Sequence, residues 1–283
     1  RTKETEVISE AHHIVIDEAQ DFGMMVYNCL HFCIKDCTYT VMGDVSQNIR
    51  FGFGLNDWEE LKRLLLEKDP MSSFGILKKS YRNTVEISHF ATDILSHGKF
   101  MRYPVEPIIR HGNPVEVREV RIPQLPPSGH GISGDVNGGS QGTVKAPRKN
   151  SIPPKGQDPK LGEETALWQE AARQCRAWQE KELPTIAVIC RDQEGADRAA
   201  KGLGTQIEIM ETDPEKAEFG NGIMVLPVEY TKGLEFDAVL ILNPTREEYP
   251  VDDGHARLLY VAATRALHEL CVLHTGNLTG LIA

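Results

Sequence analysis

Three carboxylates at the end of a short apolar run are the first residues whose types and spacing could do chemistry. In "HIVIDEAQDF", Ile14, Val15 and Ile16 read as a buried parallel strand, too short for a helix. Asp17 and Glu18 stand where that strand ends, the edge of an open α/β sheet at which ligands bind. Two adjacent acids there suit a nucleotide site, one holding Mg²⁺ and the other orienting or deprotonating a water. Such a site also needs a glycine-rich loop for the phosphates, yet G-x-x-x-x-G-K-[ST] occurs nowhere in the sequence. "SHGKF" has Gly–Lys without the glycines before it or a hydroxyl after it, "TKGLE" reverses the order, and "FGFGLND" lacks the lysine.

The elements that must position these acids follow from periodicity and caps. "YTVMGD" is a second strand leading into the loop "VSQNIRFGFGLND", and a helix begins near Asp57. "SSFGILKKSYRNT" holds a short strand, and Asn83 or Thr84 caps the helix "VEISHFATDILSH". "PVEVREV" alternates as a strand does. Farther on come the helix "EETALWQEAARQCRAWQEK", with Leu167, Ala171, Cys175 and Trp178 on one stripe, the strand "TIAVIC" and the helix "DQEGADRAAKGL". The strands "QIEIM", "GIMVLPVE" and "DAVLIL", the helix "GHARLLYVAATRAL" and the strand "HELCVLHT" complete the series. This alternation implies α/β architecture, mostly parallel sheets with helices on both faces.

Residues 122–160 differ in kind, with seven prolines, seven glycines and no aromatic residue. Such a stretch cannot bury enough apolar surface to offset its ordering entropy and reads as a disordered, tethered insert. It carries Lys145, Arg148, Lys149, Lys155 and Lys160 against Asp135 and Asp158.

With 283 residues the chain suits two domains, and its apolar and charged fractions are those of a globular protein. No apolar run approaches a membrane span, and the cysteines lack a disulfide spacing, as in a reduced, cytoplasmic protein. The net charge of −10 counts mildly against tight nonspecific DNA binding, although a basic groove can sit on an acidic protein. Cys29, Cys33 and Cys37, at steps of four, would stack along a helix face rather than converge on one ion, so they are expected as small core residues.

Five stretches in order, "VIDEAQDF", "VMGDVSQNI", "KKSYRNT", "EYTKGLEFDAV" and "LLYVAATRA", resemble the later motifs of superfamily 1 helicases of the UvrD, Rep and PcrA type. The resemblance covers nearly the whole chain outside the Pro/Gly-rich insert. It implies two RecA-like domains, with residues 1–84 the C-terminal part of the first and residues 85–283 the second. It also implies an ATP- and Mg²⁺-dependent motor moving on single-stranded DNA, 3′ to 5′. By that resemblance Asp17 is the Mg²⁺ ligand, Glu18 the base that activates water, and Gln47 the sensor of the γ-phosphate, with Asp44 supporting its loop. Arg82 and Arg265 are the arginines reaching the γ-phosphate from the second domain. Tyr81 stacks on adenine, with a core tyrosine the competing reading. Glu235 bonds the ribose hydroxyl, and Gly233 lets the backbone come close.

In that family the phosphate loop lies upstream of the DEAQ strand. The chain, opening on Arg1, is therefore expected to be a C-terminal fragment that hydrolyses no ATP without its N-terminal half. Departures cluster on the nucleic-acid side. Pro227, Val228 and Glu229 stand where Thr-x-His is usual, Gly52 sits near the place of a base-stacking tryptophan, and no accessory domain fits before "KGLEF". This pattern most resembles the HelD branch, helicase-like ATPases that bind RNA polymerase and help release it from nucleic acid.

Overall fold

The computed structural model describes residues 11–34, 36–50, 52–67, 71–100, 103, 106–107, 109–121, 159–210 and 220–282. In chain order the strands and helices are β1 (His13–Ile16), α1 (Met24–Cys33), β2 (Thr38–Val41), α2 (Glu59–Leu65), β3 (Lys79–Ser80), α3 (Val85–Ser96), β4 (Glu106–Pro107) and β5 (Glu116–Glu119). They continue with α4 (Pro159–Glu180), β6 (Thr185–Cys190), α5 (Gln193–Leu203), β7 (Gly222–Pro227), β8 (Phe236–Leu242), α6 (Asp253–Thr264) and β9 (Ala266–His274). The architecture is mixed α/β with parallel sheets flanked by helices, as the alternation implies.

The large sheet has five parallel strands in the order β5-β9-β8-β6-β7. Its central strands are continuous apolar runs because both faces are covered. Ala187, Ile189, Met224, Leu226, Val239 and Ile241 point to the side of α3 and α6. The intervening Ile186, Val188, Ile223, Val225, Ala238 and Leu240 point to the side of α4 and α5, where Leu167, Ala171, Cys175 and Trp178 form the expected stripe. Thr84 rather than Asn83 caps α3, its hydroxyl accepting from the Ile87 amide at 3.4 Å.

The smaller lobe holds β1 and β2, paired in parallel, with a minor core of Ala19, Tyr27, Val45, Leu55, Trp58 and Leu61. Here the expectation of a buried strand fails. Val15 is 60% exposed and β1 alternates between exposed and half-buried positions, because β2 alone pairs with it among the described residues. The cysteines also depart from expectation: Cys29 and Cys33 are exposed on α1, and Cys37 is half-buried beyond the helix. Helical spacing gave them a common face, and that face is the outer one, shared with Met25 and Phe32.

"QIEIM" is not a strand. Residues 208–210 take no regular secondary structure, and the Met210 amide bonds the Ile223 carbonyl of the sheet at 2.8 Å. Most of the Pro/Gly-rich insert lies outside the described residues, and its last two positions, Pro159 and Lys160, belong to α4. Among the described residues no helix is long and apolar enough to cross a membrane.

Candidate functional site

The acid pair stands at the carboxyl end of β1, where the chain must turn. Glu18 adopts a left-handed backbone, φ 50° and ψ 40°, and leads into a single 3-10 turn over Ala19–Asp21. The Asp17 carboxylate accepts the Glu18 amide at 2.8 Å, which holds this turn. Both acids are exposed.

Behind them lies Gln20, fully buried, whose side chain joins the ends of the two strands. Its Nε2 donates to Glu18 Oε2 at 2.5 Å, and its Oε1 accepts the Asp44 amide at 2.9 Å. The approach is so close that a Cβ on Gly43 would lie 2.9 Å from the Ala19 amide nitrogen and press on Gln20 Oε1, which favours glycine there. Asp44, at the end of β2, then organises its own loop. One carboxylate oxygen accepts the Ser46 amide and the other accepts Gln47 Nε2, both at 2.9 Å.

Gln47 Oε1 in turn accepts from Arg265 Nη2 at 2.9 Å, across the gap between the β1–β2 lobe and the large sheet. Arg265 follows α6 and is 1% exposed. A buried guanidinium needs its donors satisfied, and here acceptors without formal charge do so. Nε donates to the Val261 carbonyl at 3.1 Å, Nη1 to the Leu234 carbonyl at 3.2 Å and Nη2 also to Thr264 Oγ1 at 3.3 Å. Burial, followed by the nearby Arg82 charge, pulls its pKa down to about 10, still well above neutral, so the group remains a cation.

Arg82, exposed in the segment before α3, pairs through Nε with Glu235 Oε1 at 2.5 Å. Glu235 therefore lies beside the arginines. Gly233 takes φ +77°, a left-handed conformation that requires glycine, whereas a Cβ there would meet no atom within 4 Å. Tyr81 is 74% exposed, which removes the core reading of that residue.

Lys232, Gln20, Asn83 and Arg110 are not legible as site residues in the sequence. The Lys232 ammonium pairs with Asp21 and lies 3.6 Å from Glu18 Oε2, making a second bridge between the lobes. Its signal was its place in "TKGLE", directly before Gly233. A cleft of about 270 Å³ opens here, lined by Glu18, Asp21, Arg50, Glu229, Lys232 and Gly233. The small lobe contributes the carboxyl ends of its strands, and the large sheet contributes the opposite ends, just before β8 and β9. Acids from one side thus face cations from the other.

Among the described residues no group of three or more side chains could hold a metal ion by itself, but the acids and cations gathered here could take one end of a Mg²⁺–nucleoside triphosphate. Asp17 presents hard oxygen ligands, and Mg²⁺ takes one or two carboxylates, completing its shell with phosphate and water. Lys232, Arg82 and Arg265 supply positive charge opposite. The backbone-amide loop that would cradle the remaining phosphates is a motif the 283-residue sequence does not contain.

The model of the UvrD-like helicase C-terminal domain family matches residues 222–273, which carry Lys232, Glu235 and Arg265. Among solved structures the chain is similar to the C-terminal domain of a possible DNA helicase from Lactobacillus plantarum WCFS1. Identity is 22% over 72% of this chain and 92% of that one, with a TM-score of 0.47. It is also similar to the PRRSV helicase, at 14% identity over 92% of this chain and 34% of that one, with a TM-score of 0.39. No curated protein matches the chain.

Proposed function

We propose that the chain is the C-terminal part of the motor of an ATP-driven superfamily 1 helicase or translocase of the UvrD type. In this reading residues 1–84 complete a first RecA-like domain and residues 85–283 form the second. Bound Mg²⁺–ATP supplies the phosphoryl group that passes to water. Asp17 would hold the Mg²⁺, which would supply positive charge to the phosphate oxygens. Glu18 takes the proton from the water as its oxygen bonds to the γ-phosphorus and the bond to the ADP oxygen breaks. Arg265 and Arg82 neutralise charge on the transferring oxygens, an effect worth about 10³–10⁵ in rate. Tyr81 offers its exposed ring to the adenine, and Glu235, on leaving Arg82, accepts the ribose hydroxyl beside the open backbone of Gly233.

One observation carries this reading. An unbroken hydrogen-bonded line runs from Glu18 through Gln20, Asp44 and Gln47 to Arg265. A change at the terminal phosphate is felt at both ends of that line, so hydrolysis and the separation of the lobes are linked. A motor needs that linkage.

The test is ATP turnover by the longer protein to which the chain is proposed to belong, with and without single-stranded DNA. Stimulation by DNA and its loss in Glu18→Gln, by about 10²-fold or more for removal of a general base, support the helicase reading. A DNA-independent rate together with co-purification of RNA polymerase would move the task to the HelD-like alternative. The 283-residue chain alone is expected to hydrolyse no ATP, and measurable Glu18-dependent turnover by it would overturn the assignment of the phosphate loop to another segment. Directionality, 3′ to 5′ in this proposal, is read from strand displacement on substrates with one single-stranded tail.

A further inference from the structure

Asn83 lies between the exposed Arg82 and the start of α3, yet it is buried. An asparagine in a turn usually bonds backbone within a few residues of itself. This one reaches far along the chain: its Nδ2 donates to the Thr264 carbonyl at 3.0 Å and to the Ala266 carbonyl at 2.6 Å. Those carbonyls flank Arg265, whose own carbonyl accepts the Phe236 amide at 2.9 Å. The last carbonyls of a helix have no partner within it, so Asn83 caps α6 from a remote segment.

Arg110 repeats the device one step along. Its Nη2 donates to the Arg82 carbonyl at 2.6 Å and to the Leu267 carbonyl at 2.7 Å. Its own carbonyl accepts the Val85 amide at 3.0 Å. The backbone at 82–85 is thereby bolted to the backbone at 264–267 on both sides of Arg265. Two like charges are kept as neighbours, with Glu235 the anion paired to one of them.

We infer that Asn83 is a positioning residue that fixes the separation of the Arg82 and Arg265 guanidiniums, so that both address the same terminal phosphate. The inference rests on the proposed ATPase reading. An arginine clamp displaced by about 1 Å can cost about 10²-fold in rate, and the two hydrogen bonds of Asn83, beside those of Arg110, oppose such a displacement.

The test compares wild type with Asn83→Ala, Asn83→Ser, Arg82→Ala and the Asn83→Ala/Arg82→Ala double variant in the longer protein. Asn83→Ala is expected to lower kcat by about 10²-fold with little change in KM for ATP. Asn83→Ser, which keeps one donor, falls between, and Asn83→Ala costs nothing further once Arg82 is gone. In the nucleotide-free 283-residue chain, Asn83→Ala should speed amide exchange at Val85 and Phe236 while leaving Val188 unchanged. An unchanged kcat, a loss that multiplies that of Arg82→Ala, or unaltered exchange would each overturn the inference. If Asn83→Ala does not fold, the Asn83→Ser comparison decides by the same criteria. A wild type without ATP turnover, or one indifferent to Arg82→Ala and Arg265→Ala, would instead refute the ATPase reading and this inference with it.

Discussion

Glu86 shows how a single side chain on the scaffold acts through its charge. It lies in the first turn of α3, where the helix dipole favours an anion. Its carboxylate accepts the Gly112 amide at 2.8 Å and meets His111 Nδ1 at 2.9 Å. The Gly112 amide first, and His111 next, hold its pKa down at about 2, from an ordinary 4.5. A depressed carboxyl pKa contributes stability above the unfolded value and loses it as pH falls through the folded one. Thermal melts of wild type and Glu86→Gln should therefore differ above about pH 4.5 and converge as the pH approaches about 2. Sequence reading could name Asp17, Glu18, Asp44, Gln47, Arg82 and Arg265 because each sits in a short ordered motif. It could not name Asn83 or Lys232 as site residues. Their partners lie 181 and 211 positions away along the chain, and no local pattern encodes such a contact.

Among elements, the contrast between "HIVI" and "TIAVIC" is instructive. Both are short apolar runs that open on a polar residue and are followed by a charged one, and both form parallel strands. Only the second is sealed on both faces, because β7 and β8 flank it and helices cover it. Periodicity specifies a strand and not its neighbours, so the fold of the large sheet was legible while the exposure of β1 was not. The same limit explains α1, whose cysteines share a face that points outward. Of the caps, Thr84 was one of two candidates expected for α3, α2 has its N-cap at Trp58, one residue beyond the expected Asp57, and the cap of α6 was not among those expected. Asp252 opens α6, its carboxylate accepting the His255 amide at 2.9 Å. Asp252→Ala should cost about 1 kcal/mol in urea unfolding, as loss of an N-cap does. Because Asn83 still caps the other end, α6 of that variant should fray first at Asp253–His255, visible as faster exchange there than at Arg265.

At the level of the whole molecule, three polar bridges among the described residues join the small lobe to the large sheet. Lys232 meets Asp21 and Glu18, Arg265 meets Gln47, and Arg257 meets Asn56. The first two belong to the cleft and would be remade by a phosphate. The third is different in kind. Arg257 is buried, donates to Asn56 Oδ1 at 2.7 Å and stacks over the Phe100 ring at 4.3 Å. It pairs a cation with an amide and an aromatic face rather than with a carboxylate of the cleft, so it is the bridge expected to act as the pivot. Arg257→Ala should raise amide exchange across β1 and β2 far more than across β6 and β8, measured with and without nucleotide. Equal change in both lobes would show that Arg257 stabilises the fold at large rather than the junction. None of this pivot was visible in sequence, since Asn56 and Arg257 are each unremarkable in their own segments.

The outward face of α1 has a practical corollary. Cys29 and Cys33 stand one turn apart in the open, whereas Cys175, Cys190 and Cys271 are buried and burial raises their thiol pKa values, to about 12 for the first two. Maleimide dyes will therefore decorate the small lobe and spare the large sheet without any engineered cysteine. A fluorophore anchored there becomes an optical gauge of any movement of that lobe against the sheet.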